Sequence, residues 1–242
     1  MYALTIFKNV FDNKTHKRMD FPTWDLFEQT LYDLSGCKFK EKKDAYLISP
    51  AIYETDTTRA NKNVVSWAGW AAVDVDEHNF KGNLQQELKE KYGQYYYVCY
   101  STASSSVDYP KFRLVFPLGK RVENAKIKHF WFALNSELDD LADKQTKDLS
   151  RMYYIPGNYS GSNNFIFTNK GDFIDPDTLM SKYPYVEKKT GNSFLDRLPE
   201  ELQKQVIEHR KTKLPNKEKY KWTNLHDCPF VNKSMLQEYR SI

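Results

Sequence analysis

The stretch Trp67-Ala68-Gly69-Trp70-Ala71-Ala72-Val73-Asp74-Val75-Asp76 decides how the rest of the chain is read. An apolar run, short and β-compatible, ends in two aspartates set between valines, and this predicts a buried strand over about residues 67–76. Side chains alternate along a strand, so Asp74 and Asp76 leave the same face, with Cα atoms ~6.5–7 Å apart. Two carboxylates on one face of a buried strand repel each other and are costly to desolvate. Two readings follow. Either they are oxygen ligands for a hard cation such as Mg²⁺ or Mn²⁺, or the strand ends at Asp74 and both are solvated with the loop Glu77-His78-Asn79.

Downstream, the order of elements is informative. Leu84, Leu88 and Tyr92 share one face of a predicted helix over about 83–92, which Gly93 ends. Strands are predicted over 95–100 and 112–116, the second stopped by Pro117. A helix over about 124–141 carries Ile127, Phe130, Trp131, Leu134, Leu138 and Leu141, and a strand over 151–155 stops at Pro156. With the first strand this makes β-α-β-β-α-β, an RRM-like (ferredoxin-like) unit. Its first and fourth strands are antiparallel neighbours, so Asp148 is expected beside Asp74 and Asp76 as a third carboxylate. The same topology sets the polar loop 101–110 at the sheet edge away from Asp76. Residues 164–168 and 172–174, around Asn169-Lys170-Gly171, predict a terminal hairpin.

Upstream, a strand over 2–8 and a helix from Pro22 to Ser35-Gly36, with Trp24, Phe27, Leu31 and Leu34 at helical spacing, precede a solvated basic run, 38–43. A strand over 45–53 is broken at Pro50, and the polar loop 54–63 holds Arg59. The expected fold class is therefore α+β. Residues 1–186 form one domain, with an N-terminal αβ module over about 1–66 and the RRM-like core over about 67–186. A linker, 187–192, leads to a small helical and basic C-terminal segment, 193–242. It contains a helix over 195–210, the basic stretch 211–221 and Trp222, and is expected to be the front of a longer polypeptide.

Composition narrows the class. Hydrophobic residues make up 40% and aromatics 15% of 242 residues, enough for a sizeable core. A net charge of +4 permits a nucleic-acid partner without requiring one. Cys37, Cys99 and Cys228 form no CxxC pair and read as reduced cysteines of a cytoplasmic protein. No apolar stretch approaches ~18 residues, so no membrane span is expected. No GxxxxGK[ST] loop, EF-hand or HExxH occurs, and the five histidines are scattered.

What remains is a carboxylate set, a Ser/Thr-rich loop and a few basic residues. Carboxylates can hold two divalent cations ~3.5–4 Å apart across a phosphoryl displacement. The loop Ser101-Thr102-Ala103-Ser104-Ser105-Ser106 offers hydroxyls and N–H groups to a triphosphate, or is an ordinary hairpin loop. Arg113 on a mostly buried strand needs an anionic partner, a phosphate or a neighbouring carboxylate, and Arg151 raises the same question.

The ordered set Val73-Asp74-Val75-Asp76, Tyr100-Ser101-Thr102-Ala103-Ser104-Ser105, Lys111-Phe112-Arg113-Leu114-Val115-Phe116-Pro117-Leu118 and Asp148-Leu149-Ser150-Arg151-Met152-Tyr153-Tyr154-Ile155-Pro156 resembles the archaeo-eukaryotic primase superfamily. It is most similar to the phage and plasmid primase-polymerase branch, over roughly residues 40–160. The resemblance implies a primase-polymerase-type nucleotidyltransferase, with Asp74, Asp76 and Asp148 holding two Mg²⁺ or Mn²⁺ ions. It further implies an RRM-like core beside an N-terminal αβ module, and Ser101, Thr102, Ser104, Arg113, Arg151 and Arg59 are the candidate nucleotide-binding residues. Expected partners are a single-stranded DNA template, nucleoside triphosphates and a replicative helicase, fused or separate. The expected compartment is the cytoplasm, the bacterial host's if the protein is phage-encoded. The basic stretch 211–221 with Trp222 is expected either to bind template or to be a solvated linker. One departure stands out: Ala103 and Ser105 occupy positions where the family carries a phosphate-contacting histidine. Either Arg113, Arg59 or Lys111 supplies that charge, or nucleotide affinity falls. Two alternatives accordingly stay open: a catalytically silent nucleic-acid-binding module and a metal-dependent nuclease.

Overall fold

In the computed structural model, described for residues 1–143 and 147–185 and for single positions 199, 201, 202, 204, 205 and 208, the fold is mixed α+β. Contacts divide the chain into Met1–Val186 and Glu187–Ile242. The first unit runs β1 (Tyr2–Phe7), β2 (Arg18–Phe21), α1 (Trp24–Ser35), β3 (Lys38–Phe39), β4 (Leu47–Ser49), β5 (Ala51–Tyr53), β6 (Val64–Trp67) and β7 (Trp70–Val75). It continues α2 (Leu84–Tyr92), β8 (Tyr97–Ser101), β9 (Phe112–Pro117), β10 (Val122–Glu123), α3 (Asn124–Glu137), β11 (Tyr153–Tyr154), β12 (Asn158–Tyr159), β13 (Ile166–Asn169) and α4 (Pro176–Lys182). The expected helix over 195–210, the basic stretch 211–221 and Trp222 lie outside the described residues, apart from those single positions.

The central sheet has the order β13-β8-β9-β7. Since β9 is antiparallel to both β7 and β8, those two run parallel, joined by the α2 crossover. Alternation along β7 is as the sequence predicts. Ala71, Val73 and Val75 pack with Leu88 and Tyr92 of α2 and with Ile127, Phe130 and Leu134 of α3. Trp70 and Ala72 face the opposite way, towards Leu4 of β1, Phe27 and Leu31 of α1 and Ile48 of β4. Each fully buried side chain of this size stabilises the fold by roughly 1.5–3 kcal/mol, which fixes the register that turns Asp74 with Trp70 and Ala72.

The expected single strand over 67–76 is two strands. Gly69 has φ +75°, a backbone that other residues rarely adopt, and a Cβ there would stand 3.0 Å from the Met1 carbonyl oxygen. At that corner the chain leaves a three-stranded sheet, β10-β6-β5, for the central one. Pro50 makes a matching corner between β4 and β5, and the Ala68 amide donates to the Pro50 carbonyl at 2.9 Å, tying the corners together.

The RRM-like arrangement is not reproduced at the fourth strand. β11 is two residues long and pairs with β4 in the N-terminal sheet, order β11-β4-β1-β2, not with β7. The Tyr153 side chain explains this: its ring packs near Trp70 at 6.4 Å and its hydroxyl donates to the Ala72 carbonyl at 2.7 Å, which lays β11 across the sheet face. The Asp143 amide instead meets the β7 edge, at the Asp74 carbonyl, 2.9 Å. Nor does the terminal hairpin form. β13 adds to the outer edge of β8, and Asp172 and Ile174 make only single bridges to Tyr95 and Leu118. At Gly171 a Cβ would stand 2.6 Å from the Gln94 carbonyl oxygen, so only glycine lets the chain pass so close.

Helix ends follow their caps. Thr23 Oγ1 accepts from the Leu26 amide to start α1, and Asn83 Oδ1 accepts from the Gln86 amide to start α2. α3 stops at Glu137 rather than near Leu141, because Asp139 and Asp140 are left-handed and Asn135 holds the turn through Asp140 and Ala142. The sequence reading missed β2 and α4, the latter started by Asp175 and Pro176. No helix among the described residues is long and apolar enough to cross a membrane.

Candidate functional site

β7 and β8 end at the same level of the sheet, for Val75 and Ser101 both lie opposite Phe112 of β9. The loop after β8 therefore reaches the same end of the sheet as the aspartates, separated only by β9. This corrects the expectation that loop 101–110 lies away from Asp76. Between the two strand ends opens a cavity of about 460 Å³. Asp74, Asp76 and Asp148 line it, with Ser101, Thr102, Ser104, Arg113, Arg151 and Arg59. All the residues expected at the site thus border one space.

At the floor, Asp74 is opposite Arg113 in the β7–β9 register. Asp74 is only 7% exposed and Arg113 5%. Arg113 Nε donates to Asp74 Oδ1 at 2.5 Å, and Nη2 pairs with the same oxygen. Its Nη1 donates to the Tyr100 hydroxyl at 3.0 Å and to the Tyr154 carbonyl at 2.7 Å. The guanidinium also lies over the Tyr153 ring, 4.8 Å from its centroid. Burial opposes the Arg113 charge, but Asp74 and Tyr100 outweigh it and hold its pKa above the ordinary value. Of the two partners left open for Arg113, the neighbouring carboxylate is the one the fold supplies.

The rim is looser. Asp76, its side chain 49% exposed, stands 3.7 Å from Lys111 Nζ. Arg151 Nη2 lies 3.6 Å from Asp74 Oδ2. Asp148 reaches the cavity on a turn closed by the Arg151 amide and its own carbonyl, 3.2 Å. Two residues pin that turn: Asn61 Oδ1 of the N-terminal module accepts from the Ser150 amide and hydroxyl, and Trp67 Nε1, at the end of β6, donates to the Leu149 carbonyl. So Asp148 shares the cavity through these contacts with Asn61 and Trp67, not through pairing of its strand with β7.

Arg59 is held by its amide, which donates to Asn13 Oδ1, and lies over the Phe7 ring. The Nε atoms of Arg59 and Arg151 are buried with no partner among the described residues. Unmet donors of this kind suit an anionic ligand. In the Ser/Thr-rich loop, the amides of Ser101, Thr102 and Ser105 bond within the fold, whereas those of Ala103 and Ser104 do not among the described residues. Lys42 also lines the cavity, its ammonium over the Tyr154 ring at 4.9 Å. The sequence reading missed Lys42 by treating 38–43 as a solvated run; a lone lysine among other charges gives no signal. It missed Tyr100 too, whose hydroxyl is hidden in the aromatic stripe of β8.

Outside the cavity, His78 follows the aspartates and stacks on Tyr109, centroids 4.6 Å apart, with Nε2 2.6 Å from the Pro110 carbonyl oxygen. This joins the segment after Asp76 to the one before Lys111. His129 is structural, its Nε2 2.8 Å from the Tyr183 carbonyl oxygen.

Asp74 and Asp76 offer hard oxygen donors from one strand face to one cavity, the chemistry that suits Mg²⁺ or Mn²⁺. The fit is to this pair: Asp74 Oδ1 is taken by Arg113, and Oδ2 faces the rim. Among the described residues no three His, Cys, Asp or Glu side chains are gathered to hold an ion, so Asp74, Asp76 and Asp148 share the cavity without forming a three-carboxylate cluster.

The AEP domain of a primase-polymerase from cyanophage S-2L is similar in fold at 10% identity, with a TM-score of 0.42 over 68% of this chain and 80% of that one. Among curated proteins none matches. The family model of the VapE N-terminal domain matches residues 54–191. The matched span covers more than half of the chain and contains both aspartates, the Ser/Thr loop and Asp148; the chain belongs to the VapE N-terminal domain family.

Proposed function

We propose that the chain is a nucleotidyltransferase of the primase-polymerase type, joining nucleotides on a single-stranded DNA template. The observation that carries this reading is one cavity shared by Asp74, Asp76 and Asp148 with five cationic side chains, Lys42, Arg59, Lys111, Arg113 and Arg151. Triphosphates carry several negative charges, and four of those cations remain once Arg113 is given to Asp74. The rim thus supplies the charge that Ala103 and Ser105 lack.

The roles follow from the contacts. Arg113 and Tyr100 hold Asp74 in one rotamer, leaving Oδ2 and the Asp76 carboxylate as ligands. Bound there, Mg²⁺ or Mn²⁺ would neutralise triphosphate charge and lower the pKa of the attacking hydroxyl. Asp148 completes the carboxylate set if the turn that carries it moves inward. Arg151, Arg59, Lys111 and Lys42 bind the phosphates, and the free amides of Ala103 and Ser104 with the Thr102 hydroxyl orient them. A replicative helicase, fused or separate, and action in the host cytoplasm belong to the same proposal.

Primer synthesis with labelled nucleotides, single-stranded template and Mn²⁺ tests it. Product from the native chain should vanish in Asp76→Ala, the cleaner variant because Asp74→Ala would also strand Arg113. A native chain that makes no product yet binds template supports a second reading, the silent nucleic-acid-binding module, favoured by the Arg113 grip on Asp74 Oδ1. Degradation of template without added nucleotides supports the nuclease.

A further inference from the structure

The hairpin joining β1 to β2 is a surface the proposed chemistry does not use. Its polar side chains are turned onto backbone. The Asp12 carboxylate accepts from the Lys8 amide at 2.8 Å and the Lys14 amide at 3.0 Å, and these two bonds draw its pKa below the usual range. Asn9 Oδ1 accepts from the Phe11 amide at 2.9 Å. Thr15 Oγ1 donates to the Thr57 carbonyl, and Lys14 bridges Thr58, which ties the hairpin to the loop carrying Arg59. A tip held this firmly nonetheless leaves Phe11 91% exposed.

A single exposed aromatic is ordinarily unremarkable. Here two further observations go with it. Val10, its neighbour, lines the cavity, so the tip stands at the cavity rim. Lys8, Lys14 and Lys17 are exposed on the same hairpin, and none forms a close ion pair among the described residues, Lys14 and Lys17 feeling Asp12 only at longer range. An uncovered ring among unpaired ammonium groups matches a base face flanked by phosphates.

We infer that this hairpin is a docking arm for single-stranded nucleic acid, with a base stacked on Phe11 and phosphates met by Lys8, Lys14 and Lys17. The arm delivers the strand to the cavity, and in this it rests on the nucleotidyltransferase reading. Stacking requires an unpaired base, so a duplex is a poorer ligand. The arm adds a contact that persists when salt suppresses phosphate binding.

Fluorescence anisotropy with the full chain and labelled oligothymidine, without nucleotide or metal, tests the arm. Phe11→Ala should weaken binding about tenfold, as expected for ~1–3 kcal/mol per stacked base, and Phe11→Tyr should restore it. The thermal midpoint should not move, because the ring is uncovered. Replacing Lys14 and Lys17 together by Ala should flatten the salt dependence by about 1.4 in log–log slope. Phe11→Ala binding within about twofold of the native chain would overturn the inference, as would equal affinity for a duplex of the same length. The assay involves no synthesis, so the two readings fail separately. A chain that makes no primer but loses binding in Phe11→Ala keeps the arm, and one that makes primers with binding indifferent to Phe11 loses it.

Discussion

The floor and the rim of the cavity use the same residue types to different ends. At the floor, Asp74 and Arg113 are buried opposite each other, and every nitrogen of the guanidinium has a protein partner. At the rim, Asp76 and Lys111 are 3.7 Å apart and half-exposed, and Arg151 keeps a buried Nε unmet. A saturated ion pair holds shape, while an under-satisfied one has capacity left for a ligand. Charge alone does not separate floor from rim in this cavity; unmet hydrogen-bonding capacity does.

The comparison can be broken most forcefully at the floor. Arg113→Ala strands a buried carboxylate and should cost about 3–5 kcal/mol. For a chain of this size that is a drop of about 10 °C in thermal midpoint, read by circular dichroism. A midpoint unchanged by Arg113→Ala would erase the distinction between floor and rim. Arg151→Ala should instead leave the midpoint nearly in place and weaken nucleoside triphosphate binding about tenfold, measured by calorimetry. The smallest stability effect belongs to Asp76→Ala, within about 0.5 kcal/mol for a half-exposed pair. That is why loss of primer synthesis in this variant reads as chemistry rather than unfolding.

Local physics made part of this legible in the sequence. Alternation on β7 depends on neighbours in the chain, and the expected faces are those observed, whereas α1 starts at Trp24 behind the Thr23 cap rather than at Pro22. Non-local pairing was harder. Nothing in Arg151-Met152-Tyr153-Tyr154-Ile155 tells an edge strand from one laid across a sheet face; the Tyr153 hydroxyl bond to Ala72, eighty-one residues away, decides it. Gly69 was visible inside an apolar run, yet its role as a corner comes from the Met1 carbonyl packed against it. At the site, the strand-face argument paired Asp74 with Asp76. It did not reveal that Arg113 lies opposite Asp74, because cross-strand register is set by the whole β7–β9 ladder. Asp148 reached the cavity by a route the RRM-like order did not contain, through Asn61 of the N-terminal module and Trp67 at the end of β6.

Anomalous scattering from crystals soaked with Mn²⁺ and a non-hydrolysable nucleoside triphosphate tests the central claim most directly. Manganese is expected against Asp74 Oδ2 and Asp76, with the triphosphate along Arg151, Lys111 and Arg59. Manganese bound elsewhere, or a triphosphate seated away from these cations, would contradict it.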